Sequence, residues 1–404
     1  MLRKSRIFTP GPTPLLPAAQ FAMAAADIHH RTADFRALYS RVLADLKVFV
    51  GTQNDVMMMA ASGTGAMEAA VANLTSPGDR VLVVTAGKFG ERWKALASAY
   101  SCAVDLASAP YGETVPLSAI TDKLTVDTRV LYMQATETST GVRHDVKAVA
   151  DLLRGTDTLL VVDGITGLGT TALDVDAWGV DIIIGGSQKA VMIPPGLAYC
   201  SVSERAWKRM ETAKSPRFYF DLRKERKSAA NGESSYTPAI ALIAALGTAL
   251  DFIRGMGNGD LAKGRDALIH NAETCAEMTR EAALALGLQL FAPDSPAAAI
   301  TAICAPKGVD SGKIVKIFRE TFGAVISNGQ GDEMKGKIFR LAHLGYFDYL
   351  DTIATIAALE QVLAIIRRPK HAEFAPGVRA AQEVYARALA RYESAAASAS
   401  GPKA

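Results

Sequence analysis

The sequence of 404 residues predicts an α/β chain: a large, mainly parallel mixed sheet comes first, and a smaller α+β unit follows. Two observations lead to this prediction. Between about residues 56 and 200, short apolar runs of strand length alternate with helix-like segments. Beyond about residue 205, helices come first and strands are interleaved later. The first pattern is typical of domains with helices on both faces of a sheet.

Six apolar runs predict buried strands, because a strand covered on both faces reads as a nearly continuous apolar segment. Helices are predicted between several of them. A loop rich in glycine and proline joins the last two strands, so this pair can be antiparallel and the sheet mixed. The strands are 56–61, 80–85, 129–135, 158–163, 181–185 and 196–202, and the helices are 64–75, 89–99 and 145–154.

The second half predicts helices at 203–213, 238–256, 259–286 and 348–367, with strands near 298–304, 324–327 and 337–342. These patterns divide the chain into four parts. An extended N-terminal arm (1–20) precedes a large domain (21–256), and a small domain (257–370) follows it. In the last part (371–404), a helix at 373–395 precedes a small, polar tail that is expected to be disordered from residue 396.

Composition narrows the class of protein. The net charge is only +3, from 44 basic and 41 acidic residues, which does not favour a nucleic-acid or membrane-surface protein. The longest uncharged apolar run, near 236–250, is shorter than the roughly 20 residues of a membrane span. The four cysteines are scattered without metal-ligand spacing. We therefore expect a cytoplasmic protein without a metal, a nucleic-acid partner or a membrane partner.

Four short segments follow predicted strands, at the sheet edge where open α/β sheets bind ligands. The hydroxyls and backbone N–H groups of Ser62–Gly65 suit a phosphate, or they cap a helix. Asp163 ends a buried strand, where a carboxylate needs a partner, or it caps a turn. Lys189 follows the next strand and can form a Schiff base, although loop lysines are often solvated. The segment 137–141 offers hydroxyls for a ring oxygen or a turn.

Taken together, an anion cradle, a buried carboxylate and a loop lysine are what pyridoxal 5'-phosphate requires. The carboxylate pairs with the pyridinium nitrogen, and the lysine forms the covalent link.

The same segments carry a family resemblance, in order and spacing: TPGPTPL (9–15), HHR (29–31), SGTGAMEAA (62–70), ETSTG (137–141), VVDGITGLG (161–169), GSQKAVMIPPG (186–196) and FRLAHLG (339–345). From about Phe8 to Leu363 the chain resembles the fold-type I, class V aminotransferases. This group contains alanine–glyoxylate, serine–glyoxylate and serine–pyruvate aminotransferases. The resemblance implies a large domain built on a seven-stranded type of mixed sheet and a smaller α+β C-terminal domain.

The resemblance also implies a role for individual residues. Lys189 would hold the cofactor as an aldimine, and Asp163 would keep its ring nitrogen protonated. The remaining roles are phosphate binding by Ser62, Gly63, Thr64 and Gln188, contact with the ring hydroxyl by Thr138, ring stacking by Phe89, phosphate binding from the neighbouring subunit by Thr237, and substrate binding by Arg340 and Pro12.

The activity implied is ping-pong transfer of an amino group from a small amino acid, alanine or serine, to glyoxylate or pyruvate, in a homodimer with shared active sites. Three alternatives stay open: a lyase of the cysteine desulfurase type, an aminoethylphosphonate transaminase, and a non-catalytic partner protein with the same fold. The lyase needs a cysteine on a mobile loop, whereas Cys304 ends an apolar stretch that predicts a strand. His343 lies near Arg340 in the sequence and is either packed in the core or part of the site.

Overall fold

The computed structural model describes residues 3–368 and 374–399. Its strands are β1 (Arg6–Ile7), β2 (Asp55–Met59), β3 (Arg80–Thr85), β4 (Ala103–Ser108), β5 (Thr128–Gln134), β6 (Thr136–Glu137), β7 (Val142–Arg143), β8 (Leu159–Asp163), β9 (Ile182–Gly186), β10 (Ala198–Val202), β11 (Ile300–Cys304), β12 (Ala324–Val325), β13 (Ser327–Asn328) and β14 (Ile338–Ala342).

Its helices are α1 (Pro17–Ala25), α2 (Ala33–Val50), α3 (Gly63–Leu74), α4 (Lys88–Ala99), α5 (Leu117–Thr121), α6 (Val146–Leu152), α7 (Val175–Trp178), α8 (Glu204–Met210), α9 (Leu222–Ala229), α10 (Ile240–Met256), α11 (Leu261–Ala285), α12 (Ser311–Phe322), α13 (Tyr349–Arg367) and α14 (Pro376–Ala399).

A mixed sheet of seven strands in the order β2-β10-β9-β8-β5-β3-β4 organises the large part of the chain. Strand β10 runs antiparallel to both of its neighbours, and the other pairs are parallel. The predicted antiparallel pair and the mixed α/β sheet are therefore confirmed, as are the six predicted strands. The seventh strand, β4, is a half-exposed edge without a continuous apolar run, which is why the strand pattern did not reveal it.

Apolar side chains cover both faces of this sheet. Alternate residues of each strand point to opposite sides, so Tyr132 and Val161 pack towards α3 and α4, while Leu131 and Val162 pack towards α2 and α10. Trp93 is fully buried and stacks on Tyr132 with ring centroids 4.7 Å apart. Because apolar packing covers both faces of the sheet, the ends of the strands are where its polar residues can reach a ligand.

The N-terminal arm differs in part from the extended arm predicted over 1–20. Strand β1 pairs in parallel with β12 of the smaller unit, but helix α1 already begins at Pro17. Proline is well suited to the first turn of a helix, because it has no N–H to leave unpaired there. The arm is therefore joined to the small unit at its start and packs on α10 through α1 at its end.

The smaller unit contains the antiparallel sheet β11-β14-β13, with α11, α12, α13 and α14 packed around it. The predicted disordered tail is wrong for residues 396–399, because α14 continues to Ala399. This end of the helix is rich in alanine, which has the highest helix propensity of all residues. Residues 400–404 of that predicted tail lie outside the described residues. Helix α13 is long and apolar enough for a membrane span by length and composition alone, and it packs against α11, α12 and α14.

Candidate active site

The four predicted segments meet at one edge of the central sheet. Strands β5, β8 and β9 are parallel neighbours, so Glu137–Thr140, Asp163 and the loop carrying Lys189 all leave the sheet at the same end. Helix α3, whose N-terminus carries the Ser62–Gly65 segment, packs on β9 and β10. The sheet topology thus brings together residues that are far apart in sequence.

Lys189 lies beneath the N-terminal arm. Its side chain is buried, with 8% of the residue exposed, and its Nζ donates a hydrogen bond of 2.5 Å to the Pro10 carbonyl. Thr13 Oγ1 donates to the Lys189 carbonyl at 3.1 Å. Gly11, which follows Pro10, has a φ of +152°, a conformation that favours glycine, and a Cβ there would lie 2.6 Å from Nζ. The arm therefore closes over the lysine amine.

The charged groups of the site change one another's protonation. Burial lowers the pKa of the Lys189 amine to about 8, although the Asp163 carboxylate acts in the opposite direction. Burial raises the pKa of Asp163 to about 6, against a backbone hydrogen bond of 2.9 Å from the Ile165 N–H and the charge of Lys189. Arg340 and Arg92 both lower the pKa of the amine further. An amine with such a pKa is partly neutral, and hence nucleophilic, near neutral pH.

The Ser62–Gly65 segment has the properties of an anion cradle. Ser62 is the N-cap of α3, but its hydroxyl makes no capping hydrogen bond and is free for a ligand. Gly63 approaches Ile165 so closely that a Cβ would lie 2.4 Å from its Cδ1. The buried side-chain oxygen of Gln188 has no partner among the described residues. Since the amide can present either its oxygen or its NH2 group, these residues fit a phosphate.

Glu137 is a site residue for which sequence reasoning gave no role of its own. Its buried carboxylate accepts hydrogen bonds from the N–H groups of Phe89 and Gly90 and from Ser139. The N-cap of α4 is Gly87, which has no side chain to offer, so Glu137 caps this helix from a different element. In doing so it fixes the backbone of Phe89. Burial raises the pKa of the Glu137 carboxyl.

Thr138 and Arg340 connect the large sheet with the small one. The Thr138 hydroxyl donates to Thr166 Oγ1 at 2.9 Å. Arg340 in β14 is only 2% exposed and donates to the carbonyls of Thr138 and Asn328 at 2.8 Å. Burial lowers the pKa of Arg340 to about 10. A guanidinium held in this way retains unused N–H groups for a carboxylate. Pro12 lies exposed in the arm, and its carbonyl accepts from the Thr9 hydroxyl at 2.6 Å.

Thr237 is separate from this group within a single chain. It is exposed and lines a cavity with Tyr219, Tyr236 and Pro238. None of the side-chain hydrogen bonds found among the described residues joins Thr237 to Lys189 or to the cradle.

Two residues left open by the sequence belong to the protein interior or to a strand. His343 bonds to Thr301 Oγ1 at 2.9 Å, packs edge-on against Phe347, and has its pKa lowered to about 3 by burial. Cys304 lies in β11, paired with Ile338, and burial raises the pKa of its thiol. A cysteine fixed in a strand does not have the mobility that the lyase alternative requires.

The fold of the chain is that of the aminotransferases, and its family implies pyridoxal phosphate as the cofactor. Residues 18–333 match the family model described as aminotransferase class-V, and the chain belongs to that family. This confirms the resemblance on which the residue roles depend, and it confirms the fold class.

Relatives with different names share most of the chain. "Soluble hydrogenase, small subunit" of Synechococcus sp. (strain PCC 6716) is 39% identical over 93% of this chain and 97% of its own. The L-aspartate–glyoxylate aminotransferase of Paracoccus denitrificans is 35% identical over 98% of this chain and 100% of its own. The structure of an alanine–glyoxylate aminotransferase from Nostoc sp. is 30% identical, with a TM-score of 0.83 over 90% of this chain and 96% of its own.

Proposed function

We propose that the chain binds pyridoxal 5'-phosphate through Lys189 and moves an amino group from a small amino acid, alanine or serine, to glyoxylate or pyruvate. The observation that carries this proposal is the buried Lys189 amine, whose pKa is about 8, on the same sheet edge as the buried Asp163 carboxylate. The names of the relatives include more than one amino donor, so the donor is the part of the proposal that most needs measurement.

Each residue has a separate task at this edge. When bound, the cofactor supplies an electron sink for the bond that breaks at the substrate α-carbon. The Asp163 carboxylate would hold a proton on the cofactor's ring nitrogen, and the Phe89 ring would stack on the cofactor. Ser62, Gly63, Thr64 and Gln188 would bind the phosphate, and Thr138 would contact the ring hydroxyl.

Arg340 would orient the substrate, because its planar guanidinium matches a carboxylate in two parallel hydrogen bonds, and Pro12 of the arm would be a second substrate contact. Lys189 Nζ would take the proton from the α-carbon of the bound amino acid as a general base. A neutral amine is required for this step, and the lowered pKa of Lys189 favours it. The acceptor then passes through the same steps in reverse, which gives ping-pong kinetics.

The proposal includes a cytoplasmic homodimer in which Thr237 reaches the phosphate of the neighbouring subunit. The exposure of Thr237 supports this, because a residue that completes another chain's site has to be accessible in the monomer.

The test is spectroscopic. Purified protein is reconstituted with pyridoxal phosphate, and the visible band of the lysine-bound cofactor is followed as alanine, serine or aspartate is added without an acceptor. We expect alanine or serine to remove the band and glyoxylate or pyruvate to restore it, and Lys189→Ala to form no band. Absence of a band in the wild-type protein would overturn the proposal. Conversion by cysteine alone, with release of sulfide, would establish the lyase instead.

A further inference from the structure

Arg92 lies beside the anion cradle, although none of the sequence motifs pointed to it. It follows Phe89 by one turn of α4, and its guanidinium lies 4.7 Å from the centroid of the Phe89 ring. Its Nη1 donates a hydrogen bond of 3.1 Å to Thr64 Oγ1 in the cradle. One side chain thus touches both the stacking ring and a cradle hydroxyl.

A bound phosphate would carry more negative charge than the neutral cradle residues can balance, so a cationic side chain is expected near it. A phosphate monoester carries a charge of about −1.5 to −2 near neutral pH, whereas the N-terminus of a helix contributes only about +0.5. The other cradle side chains, Ser62, Thr64 and Gln188, are neutral. In the part of the chain that the structure describes, Arg92 is the cationic side chain found hydrogen-bonded to this segment.

The guanidinium is held in place before any ligand arrives. Glu137 fixes the backbone of Phe89, and the Arg92 guanidinium lies over the Phe89 ring. Arg92 itself is half-buried, so its charge is less screened than that of a surface arginine. This charge also lowers the pKa of both Lys189 and Asp163, which places it within electrostatic reach of the two groups.

We propose that Arg92 is a further cofactor-binding residue: it supplies positive charge to the phosphate end of the site and positions the Thr64 hydroxyl. This inference rests on the proposed function. The expected consequence is selective binding of pyridoxal phosphate over pyridoxal, because pyridoxal has no phosphate for the charge to act on. A guanidinium suits this role because its fork of N–H groups matches phosphate oxygens.

The test compares two ligands on the apoenzyme of the full chain. Dissociation constants of pyridoxal phosphate and of pyridoxal are measured by absorbance titration, at low and high salt, for the wild-type protein, Arg92→Gln and Arg92→Lys. Lys94→Gln is the matched control, since it removes the same charge from an exposed position of the same helix.

We expect Arg92→Gln to weaken binding of pyridoxal phosphate by about tenfold or more and to leave binding of pyridoxal within about twofold. Arg92→Lys should be intermediate, and Lys94→Gln should match the wild type. The salt dependence of pyridoxal phosphate binding should decrease in Arg92→Gln. The thermal midpoint of each variant verifies that it is folded.

Equal weakening of both ligands by Arg92→Gln would overturn the inference, since it would assign Arg92 to packing alone. Unchanged affinity for both ligands would overturn it as well. These results differ from a failure of the proposed function, in which the wild-type protein itself would not take up pyridoxal phosphate.

Discussion

Lys189 and Asp163 show how burial sets the chemistry of single residues. The same loss of water lowers the pKa of the amine to about 8 and raises that of the carboxyl to about 6. Because their charges attract, each opposes the shift of the other. The pair therefore stays ionised over a narrower pH range than the same two side chains in water.

The first prediction concerns pH. The amine attacks the cofactor only when neutral, so the rate of cofactor capture by the apoenzyme should rise with pH through about 8. Asp163→Asn removes the negative charge that raises the pKa of Lys189. The increase in capture rate should then occur at lower pH. Stopped-flow absorbance at a series of pH values measures both curves. A rise that begins only near the pKa of an ordinary lysine would contradict the assignment.

A second prediction concerns Gly11. Gly11→Ala places a methyl group 2.6 Å from Lys189 Nζ and also strains the backbone at a φ of +152°. We expect cofactor capture to slow by at least about tenfold, because the lysine has to move. Gly78→Ala is the control: Gly78 has a φ of +87°, but nothing lies within 4 Å of its Cβ position. Both variants should lose stability, by about 1–3 kcal/mol in thermal unfolding, whereas equal capture rates would refute the steric argument.

The sequence pointed to Lys189 and Asp163 because each is a reactive or charged residue at the end of a predicted buried strand. It did not single out Arg92, and it assigned no role to Glu137. Their importance lies in contacts between elements, from Arg92 to Thr64 and from Glu137 to the α4 N-terminus. A local sequence pattern does not show such contacts, because the sequence alone does not distinguish a half-buried arginine from a solvent-exposed one.

At the scale of elements, continuous apolar runs predicted strands well, while amphipathic helices near the N-terminus were missed. Helix α2 buries Phe35, Tyr39, Val42 and Leu46, whose spacing of three to four residues is a helical signal. This spacing indicates a helix over 33–50, although no helix was predicted there. The edge strand β4 is different, because its partly exposed faces leave no apolar run to read.

The third prediction concerns Glu360 and helix α14. The buried Glu360 carboxylate accepts hydrogen bonds from the N–H groups of Ala375, Gly377 and Val378 at 2.8–3.1 Å. Glu360→Gln replaces one acceptor by a donor and weakens the interaction with the helix N-terminus. Unfolding free energy should fall by about 1–3 kcal/mol, and cleavage by trypsin within α14 should become faster. Glu383→Gln, at an exposed position of α14, should change neither measurement.

At the scale of the whole molecule, the site depends on parts that the sequence holds far apart. The arm closes over Lys189 after pairing with β12, and Arg340 of the small sheet bonds to Thr138 beside the large sheet. We therefore propose the division into a large domain (21–256) and a small domain (257–370), with the substrate site where they meet. These contacts between residues far apart in sequence follow from the chain topology, and no single segment predicts them.

The last prediction tests whether two chains share their sites. Lys189→Ala and Thr237→Ala are purified separately, mixed in equal amounts, partly unfolded and refolded together. In a mixed dimer, the intact Lys189 of one chain meets the intact Thr237 of the other. Random pairing makes about half of the dimers mixed, each with one complete site, so activity should recover to about a quarter of the wild-type value.

Asp163→Asn mixed with Lys189→Ala is the matched control, because Asp163 and Lys189 lie in the same chain's site. No mixed dimer of that pair contains a complete site, and the specific activity of the mixture should stay at the mean of the two variants. If the Thr237 mixture also stays at that mean, Thr237 serves its own chain, and its exposure in the monomer has to be explained by another contact. Recovery in the Thr237 mixture alone would assign Thr237 to the neighbouring subunit's site.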